Sequence, residues 1–198
     1  MSAERDPLAG LRSRGRDARR ALTDSERATA SRRIAATVIR THEFNAARFI
    51  ACYLPMREEV DPAGVIARAW DAGRRVYVPV LGAHGSMFFG RLAADTRLAK
   101  TPFGLYEPID TEVIAPRKLD LVITPVVAFD DRGHRIGMGG GYFDRAFAFL
   151  KRRRHWLQPK LLGLAFDCQQ VDGFEPNPWD VSLYSVVTES GRKTFGGS

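Results

Sequence analysis

Apolar residues along the chain fall into short continuous runs that alternate with segments of helical periodicity. The runs have the length of strands and cover residues 48–54, 75–80, 119–124 and 161–166. Runs in which polar residues do not alternate with apolar ones are typical of parallel strands that are buried on both faces. The segments between these runs supply the crossover helices. The pattern therefore predicts an α/β fold in a single domain over residues 1–198, with a largely parallel sheet flanked by helices on both faces in three layers.

Two N-terminal helices are predicted within residues 7–40. The first covers residues 7–22 and is weakened at Gly15, because glycine is a poor helix former. Thr23 and Glu26 have the spacing of a capping box, which starts the second helix. We expect both helices to pack on the sheet, the second through an apolar stripe. The stripe comprises Ala30, Ile34, Ala35, Val38 and Ile39.

Start and stop signals indicate two later helices. Asp61 as N-cap, Pro62 at the first helical position and Gly73 just past the end bracket one of them. Residues 142–153 form an amphipathic segment that predicts the other. Each lies between two apolar runs, as the crossover helices of a parallel sheet do.

The remaining segments are less regular. Residues 87–91 favour a short additional strand, whereas residues 101–118 are interrupted by proline and glycine and predict a long surface loop. Loops of this length in compact domains are often functional. Residues 196–198 are expected to be disordered.

Positive charge is distributed unevenly. The chain carries a formal net charge of +7, and its first 48 residues hold eleven arginines against six acids. Such a balance favours polyanionic partners, which include nucleotides, phosphorylated or polyglutamylated metabolites and nucleic acid. No nucleic-acid module is recognisable and no aromatic residues interleave with the basic clusters, so we expect no specific nucleic-acid partner.

The cysteines and the N-terminus exclude several classes of protein. Cys52 and Cys168 belong to no CxxC pair or histidine-rich cluster, so neither a zinc site nor a redox disulfide is indicated, and Cys52 is expected in the core. The chain shows neither the apolar segment of a signal peptide nor a stretch of membrane-spanning length. We therefore expect a cytoplasmic protein without a membrane partner. A monomer is a separate expectation, for which the sequence carries no specific signal.

The most informative segment is the glycine run between the strand at 119–124 and the helix at 142–153. Gly137, Gly139, Gly140 and Gly141 allow positive φ angles and let a ligand approach more closely than a Cβ would permit. The start of the following helix adds unpaired N–H groups. This arrangement favours an anion, above all a phosphate, over a turn that merely needs glycine. It matches neither a Walker A loop nor a dinucleotide fingerprint.

Carboxylates near this run leave two interpretations open. Asp144 lies in the first turn of the following helix, where a carboxylate is favoured even without a metal. Beside a phosphate site, however, it could hold Mg²⁺, which binds one or two carboxylates together with phosphate oxygens. Asp180 is either the second such oxygen donor or a solvated loop acid.

Glu59 follows an early strand, where a carboxylate can accept hydrogen bonds from a ligand, although a solvated loop acid fits the spacing equally well. Most arginines of the first helix are expected to be solvated, with one or two at the ligand. They are Arg12, Arg14, Arg16, Arg19 and Arg20. No nucleophile–base arrangement is visible, so catalysis is expected to depend on positioning and charge, as in phosphoryl transfer.

Several motifs together resemble the 5-formyltetrahydrofolate cyclo-ligase family, whose members are also called methenyltetrahydrofolate synthetases. The resemblance covers most of the chain. It is carried by LRSRGRDARRALT near the start, YLPMREEVDP after an early strand, LDLVITPVVAFD followed by RIGMGGGYFDR, and the late FDCQQ and PNPWDVSL pieces. Ordered matches at consistent spacing are more specific than any one of them.

The resemblance implies conversion of 5-formyltetrahydrofolate to 5,10-methenyltetrahydrofolate, driven by ATP and Mg²⁺ with release of ADP and phosphate. ATP would phosphorylate the formyl oxygen, and N10 would then attack the activated carbon. The nucleotide contacts of the family fall on Arg12, Arg135, Ile136, Gly137, Met138, Gly139, Gly140, Gly141 and Tyr142. The folate contacts fall on Leu54, Glu59, Phe103, Met138 and Tyr142, and the metal contacts on Asp144 and Asp180.

Two positions depart from the family pattern. Leu8 occupies a position where the family usually has a basic residue, so Arg5 or another arginine compensates, or one phosphate contact is missing. Phe143 replaces the second tyrosine of a common pair and removes one hydroxyl, which would alter rate or affinity rather than the fold.

Two other functions compete with this one. An α/β fold alone is compatible with a sugar-phosphate isomerase or an enzyme resembling acyl-CoA transferases, because fold does not determine function. The basic N-terminal helices, together with the cluster 151–154, would also serve a protein that binds nucleic acid through charge alone.

Overall fold

A computed structural model of the chain describes residues 8–101, 104–153 and 158–195. Its helices are α1 (Ala9–Ala21), α2 (Asp24–Val38), α3 (His42–Ala46), α4 (Ala63–Asp71) and α5 (Tyr142–Phe147). Its strands are β1 (Phe49–Ala51), β2 (Arg75–Leu81), β3 (Met87–Leu92), β4 (Leu98–Lys100), β5 (Tyr106–Pro108), β6 (Val113–Ile114), β7 (Leu121–Pro125), β8 (Ala128–Phe129), β9 (Arg135–Ile136), β10 (Lys160–Leu164), β11 (Ser185–Thr188) and β12 (Gly191–Thr194).

The predicted largely parallel sheet is confirmed. Within the described residues, eight strands form it in the order β12-β11-β10-β7-β1-β2-β3-β6. The central strands β11, β10, β7, β1 and β2 are parallel. At one edge β12 pairs antiparallel with β11, and at the other β3 pairs antiparallel with β2 and β6 antiparallel with β3. Two small antiparallel pairs, β4–β5 and β8–β9, lie outside this sheet.

Each face of the sheet is buried under its own apolar cluster, which gives the three-layer α/β arrangement. On one face, Ile34 of α2 and Val65 of α4 pack with strand residues such as Ile50. On the other face, Phe147 of α5 packs with strand residues such as Val122. Because alternate side chains of a strand point to opposite faces, the continuous apolar runs supply both clusters.

Local capping signals act as the sequence predicts. The Thr23 side chain accepts a hydrogen bond from the Glu26 amide, and the Glu26 carboxylate accepts one from the Thr23 amide, which completes the capping box at the start of α2. Helix α4 begins at Ala63, one residue later than Pro62 predicts. Asp61 still acts as a cap because its carboxylate accepts the Ala63 amide at 2.9 Å.

Gly15 has a packing role that periodicity does not reveal. A Cβ at this position would lie 2.3 Å from the Val127 carbonyl oxygen, so only glycine lets α1 approach this backbone. Helix α1 therefore packs against the β8–β9 hairpin rather than on a face of the main sheet, where we predicted it. Leu11 of the helix and the preceding Leu8 share an apolar cluster with Ala128 and Ile136 of the hairpin. Helix α2 packs on the sheet as expected.

Residues 101–118 are more ordered than a long loop. The described part of this segment contains β5, β6 and a 3-10 turn at 116–118, and β6 extends the main sheet. The loop prediction was therefore wrong for much of this segment. Proline and glycine interrupt the local pattern, but pairing with β4 and β3 supplies backbone hydrogen bonds that local patterns do not predict.

Other boundaries also differ from the prediction. The helix expected over 142–153 is α5 followed by a 3-10 segment at 148–152. Strands β11 and β12 form a C-terminal hairpin that the apolar pattern did not suggest. Residues 196–198, expected to be disordered, lie outside the described residues. No helix in the described ranges is both long and apolar enough to cross a membrane.

Candidate active site

A cavity of about 510 Å³ opens at the carboxyl ends of the central parallel strands. Tyr53 and Leu54 enter it just after β1, and Thr124 and Pro125 enter it from the end of β7. The glycine segment 137–141 forms another part of its wall. Ligands of open α/β sheets bind at this edge, because here the strands end and the loops diverge.

The glycine segment leaves the β8–β9 hairpin and enters α5 within five residues. Gly139 has a φ of 101° and Gly141 a φ of 62°, values that L residues rarely adopt. None of the amides from 137 to 141 donates a hydrogen bond to another protein atom in the described part of the chain. The segment therefore offers backbone donors to a ligand in the cavity.

Two arginines hold the carbonyl groups of this segment. Arg12 Nε donates to the Gly137 oxygen at 2.9 Å, and Arg145 Nη2 donates to the Gly140 oxygen at 2.8 Å. Arg145 Nε also donates to the Gly85 oxygen at 3.1 Å. Since carbonyl groups are engaged by guanidinium groups, the backbone of the segment is fixed while its amides stay available.

Helix α1 connects the glycine segment to a carboxylate elsewhere on the cavity wall. Arg12 and Arg19 are seven residues apart and so project from one face of the helix. Arg12 contacts Gly137, whereas Arg19 Nη1 lies 3.6 Å from Oε1 of Glu59. One helix therefore aligns a cation at the glycine segment with a second cation behind Glu59.

Glu59 lines the cavity, yet its side chain is only 6% exposed. Its Oε2 atom accepts the Met56 amide at 3.0 Å. Burial raises the pKa of Glu59, while the Met56 amide and Arg19 act in the opposite direction without cancelling the rise. The alternative of a solvated loop acid is wrong, and Arg19, at 2% exposure, is no solvated arginine either.

The two predicted metal ligands, Asp144 and Asp180, are brought together by a backbone amide. Asp144 Oδ1 accepts hydrogen bonds from Arg135 Nη2 at 2.9 Å and from the Val181 amide at 3.0 Å. Since Val181 directly follows Asp180, this contact brings the two aspartates to the same part of the cavity wall. Asp180 Oδ2 accepts the Asn177 amide at 2.8 Å, so Asp180 is part of an ordered turn.

Asp144 and Asp180 fit a magnesium ion that also binds phosphate. In the described ranges, protein groups engage one oxygen of each carboxylate and leave the other unbonded. No group of three or more histidine, cysteine or acidic residues among the described residues could hold a metal alone. Mg²⁺ often uses one or two carboxylates and completes its octahedral shell with phosphate and water oxygens.

The profile of the 5-formyltetrahydrofolate cyclo-ligase family matches residues 6–189. The chain belongs to this family. The 5-formyltetrahydrofolate cyclo-ligase of Escherichia coli K12 is 36% identical over 180 residues, which cover 88% of this chain and 96% of that protein. The protein of the same name from Haemophilus influenzae is 31% identical over 183 residues, covering 89% and 95%.

A solved cyclo-ligase structure has the same fold. The NMR structure of Aquifex aeolicus 5,10-methenyltetrahydrofolate synthetase matches with a TM-score of 0.81 and 26% sequence identity, covering 96% of this chain and 93% of that one. The likeness extends over nearly the whole chain, as the single-domain α/β prediction requires.

The structure brings the described members of the predicted cyclo-ligase site to one cavity. They are Arg12, Leu54, Glu59, Arg135, Ile136, Gly137, Met138, Gly139, Gly140, Gly141, Tyr142, Asp144 and Asp180. The remaining member, Phe103, lies outside the described residues. Segments far apart along the chain therefore meet at one surface, as the contact between Arg12 and Gly137, 125 positions apart, illustrates.

Sequence reasoning missed several residues of the cavity wall. Tyr106 and Glu107 of β5 line it, and the Glu107 carboxylate accepts the Leu81 amide at 3.0 Å. Trp179 lines it too and is 65% exposed. The tryptophan stands in the PNPWD piece beside Asp180, so an exposed aromatic there was a usable signal. Tyr106 lies in the segment predicted to be a loop.

The two departures from the cyclo-ligase pattern both lie at the cavity. Leu8 lines it and is 8% exposed, while Arg5, suggested as its replacement, is outside the described residues. Phe143 also lines it, and its ring centroid is 6.1 Å from that of Phe147. At both positions an apolar side chain joins an apolar cluster.

Proposed function

We propose that this chain catalyses the ATP-dependent cyclisation of 5-formyltetrahydrofolate to 5,10-methenyltetrahydrofolate, with release of ADP and phosphate. The observation that carries the proposal is the shared cavity of the glycine segment and Glu59, joined by α1 through Arg12 and Arg19. A donor-rich segment suits phosphates, and a buried carboxylate suits the N–H groups of a pterin. Both co-substrates can thus meet within one enclosed space.

ATP is assigned to the segment from Arg135 to Tyr142 and to Arg12. The amides of 137–141 would donate to phosphate oxygens, which is the usual function of a glycine-rich segment with positive φ angles. A Cβ at Gly137 would meet no protein atom within 4 Å, so this side of the segment is open for close approach. Arg12 adds positive charge at the same place.

The folate is assigned to the part of the cavity formed by Leu54 and Glu59, with Met138 and Tyr142 shared by both ligands. Glu59 would accept hydrogen bonds from the pterin, and Leu54 would pack against the ring. Phe103 is carried over from the family resemblance as a further aromatic contact.

Mg²⁺ is assigned to Asp144 and Asp180. When bound, it would neutralise phosphate charge during transfer. Arg135 and the Val181 amide hold Asp144 in one orientation, and the Asn177 amide does the same for Asp180. These contacts keep both carboxylates oriented before any ligand arrives, which reduces the entropic cost of binding.

The chemistry requires positioning more than a protein nucleophile. The formyl oxygen attacks the γ-phosphorus of ATP and ADP leaves; N10 then attacks the formyl carbon, and the C–O bond breaks to release phosphate. Loss of the N10 proton leaves the methenyl cation shared between N5 and N10. The chain contributes by aligning the formyl oxygen with the γ-phosphate, since orientation of two reactants supplies much of such a rate enhancement.

The test is a direct assay of purified protein with MgATP and 5-formyltetrahydrofolate. We expect the near-ultraviolet absorbance of the methenyl product only when all components are present. With ¹⁸O in the formyl group, the label should appear in the released phosphate. Failure to form product, or label retained outside phosphate, would contradict the proposal. A cytoplasmic location and a monomer remain predictions, and light scattering coupled to gel filtration tests the latter.

A further inference from the structure

Arg19 is buried behind Glu59, on the protein side of the cavity wall. Its side chain is 3% exposed and that of Glu59 is 6% exposed, and their closest charged atoms, Nη1 and Oε1, are 3.6 Å apart. Charged side chains are almost never fully buried unless they are paired. Burying this pair costs hydration energy, and a hydrophobic pair of similar volume often serves stability at least as well. The pair therefore calls for a functional explanation.

The contacts of the pair restrict Glu59 more than Arg19. The Met56 amide engages Oε2 of Glu59, and Arg19 faces Oε1, so both carboxylate oxygens have a partner within the protein. Arg19 Nε has no hydrogen-bond partner within the described part of the chain. A fold that needed only a stable buried arginine would satisfy this donor. The arrangement instead serves the carboxylate.

We propose that Arg19 is a positioning residue that keeps Glu59 ionised and directed into the cavity, so that Glu59 can accept N–H groups of the folate. The inference deepens the proposed function and rests on it. An ionised carboxylate only accepts hydrogen bonds, whereas a protonated one also presents a donor to the pterin N–H groups. Folate binding would exclude more water from Glu59, which disfavours its ionised form. The positive charge of Arg19 then matters more for keeping Glu59 ionised.

The charged and titratable groups around Glu59 come from three segments. Arg19 approaches from α1, the buried Tyr53 follows β1, and Glu58 precedes Glu59 in its own segment, with Asp61 further along and close to Tyr53. Burial raises the pKa of Glu59, and Glu58 adds to the rise, whereas Arg19 opposes it. Removal of Arg19 therefore raises this pKa further, and Glu59 becomes protonated at a higher pH.

The main experiment compares Arg19→Gln with Arg20→Gln across pH 5.5–8.5. Arg20 is the matched control because it pairs with Glu58 at 3.2 Å but is 57% exposed. In Arg19→Gln, we expect the acid limb of kcat/KM for 5-formyltetrahydrofolate to move upward by about one to three pH units. The KM of this variant for 5-formyltetrahydrofolate should rise about tenfold or more near pH 6, while its kcat and its KM for ATP stay unchanged.

This pattern separates positioning from a merely structural role. Arg12 lies on the same helix, so a displaced α1 would raise the KM for ATP and for folate together, without moving the acid limb. That result, or a profile equal to that of Arg20→Gln, overturns the inference. An inactive wild-type protein would instead overturn the proposed function.

A second measurement uses wild-type protein and remains decisive if Arg19→Gln does not fold. Calorimetric titration with 5-formyltetrahydrofolate alone, at pH 7 in two buffers of different ionisation enthalpy, reports protons released on binding. A carboxylate already ionised by Arg19 predicts almost no release. Release of about one proton per site that disappears in Glu59→Gln would show that Glu59 is protonated in the free enzyme, contrary to the inference.

Discussion

Arg135 and Asp144 form an ion pair of 2.9 Å between Nη2 and Oδ1 at the wall of the cavity. Arg135 also donates to the Val181 carbonyl, and the Val181 amide donates to Asp144. The pair thus joins the β8–β9 hairpin, helix α5 and the late segment that contains Asp180. A carboxylate in the first turn of a helix is favoured by the helix dipole even where no metal binds. Asp144 has a further role, because its contacts with Arg135 and Val181 hold the hairpin, the helix and the late segment together.

Asp144→Asn tests the metal assignment while keeping the hydrogen bonds of this side chain, although it also removes the negative charge that pairs with Arg135. The amide oxygen can still accept from Arg135 and Val181, whereas the charge needed for Mg²⁺ is lost. We expect the apparent affinity for MgATP to fall at least roughly 10-fold, because loss of a group that only supports a metal ligand already costs about 10- to 100-fold in metal affinity or activity. Added Mg²⁺ should restore part of the activity.

Asp131→Asn is the control for this prediction, because Asp131 is exposed and close in sequence to Arg135. Titration of activity against Mg²⁺ concentration provides the measurement, with thermal unfolding alongside. Equal activity of Asp144→Asn and wild type at limiting Mg²⁺ would restrict Asp144 to its structural contacts.

Alanine substitutions at Gly137 and Gly139 separate two effects, the blocking of ligand approach and the strain of the backbone. A Cβ at Gly137 meets no protein atom within 4 Å, whereas Gly139 has a φ of 101°. Gly137→Ala should therefore leave the unfolding free energy nearly unchanged. Gly139→Ala should lower it by about 1–2 kcal/mol, because an L residue is strained there.

Both variants should raise the KM for ATP, roughly tenfold or more, since a displacement of about 1 Å can have effects of that size. Urea unfolding and steady-state kinetics measure the two quantities. Gly10→Ala, in an exposed part of α1 with open space around its Cβ, is the control. Normal ATP use by Gly137→Ala would mean that no phosphate packs against that residue.

Glu43 provides a test of stability against pH that is remote from the cavity. Burial alone raises its pKa, but hydrogen bonds from Arg192, its own backbone amide and Tyr184 outweigh that effect and lower the pKa to about 2. Because the folded-state pKa is depressed, Glu43 stabilises the fold above about pH 4.5, and this contribution is lost as the pH falls towards 2.

Glu43→Gln should lower the unfolding free energy by about 1.5–3 kcal/mol at pH 7, and the difference from wild type should shrink at pH 3. Asp110→Asn is the control. The side chains of Asp110 and its partner Arg97 are 79% and 77% exposed, so this ion pair should contribute little to the free energy of unfolding. Urea unfolding at the two pH values gives the comparison. A pH-independent difference would assign the effect to packing instead of charge.

Local chemistry explains which predictions were accurate. The capping box at Thr23 and Glu26 and the apolar run around Ile50 depend on neighbours within a few residues, so spacing alone reveals them. The glycine run was recognisable for the same reason. By contrast, β5 and β6 are stabilised by pairing with distant strands, and residues 101–118 carry little local signal of it.

The amino-acid sequence by itself determined the central strands β1, β2, β7 and β10, the helices α2 and α4, the glycine segment and the acids that follow it. Periodicity, caps and backbone freedom are properties of short segments. Only the tertiary structure decided that Arg19 is buried against Glu59 and that Asp144 is tied to Val181. Whether a charge is solvated or paired depends on what other segments pack over it. That packing depends on the whole sheet and on the close approach of α1 to the backbone at Val127, which Gly15 permits. The spacing of residues along one segment does not encode it.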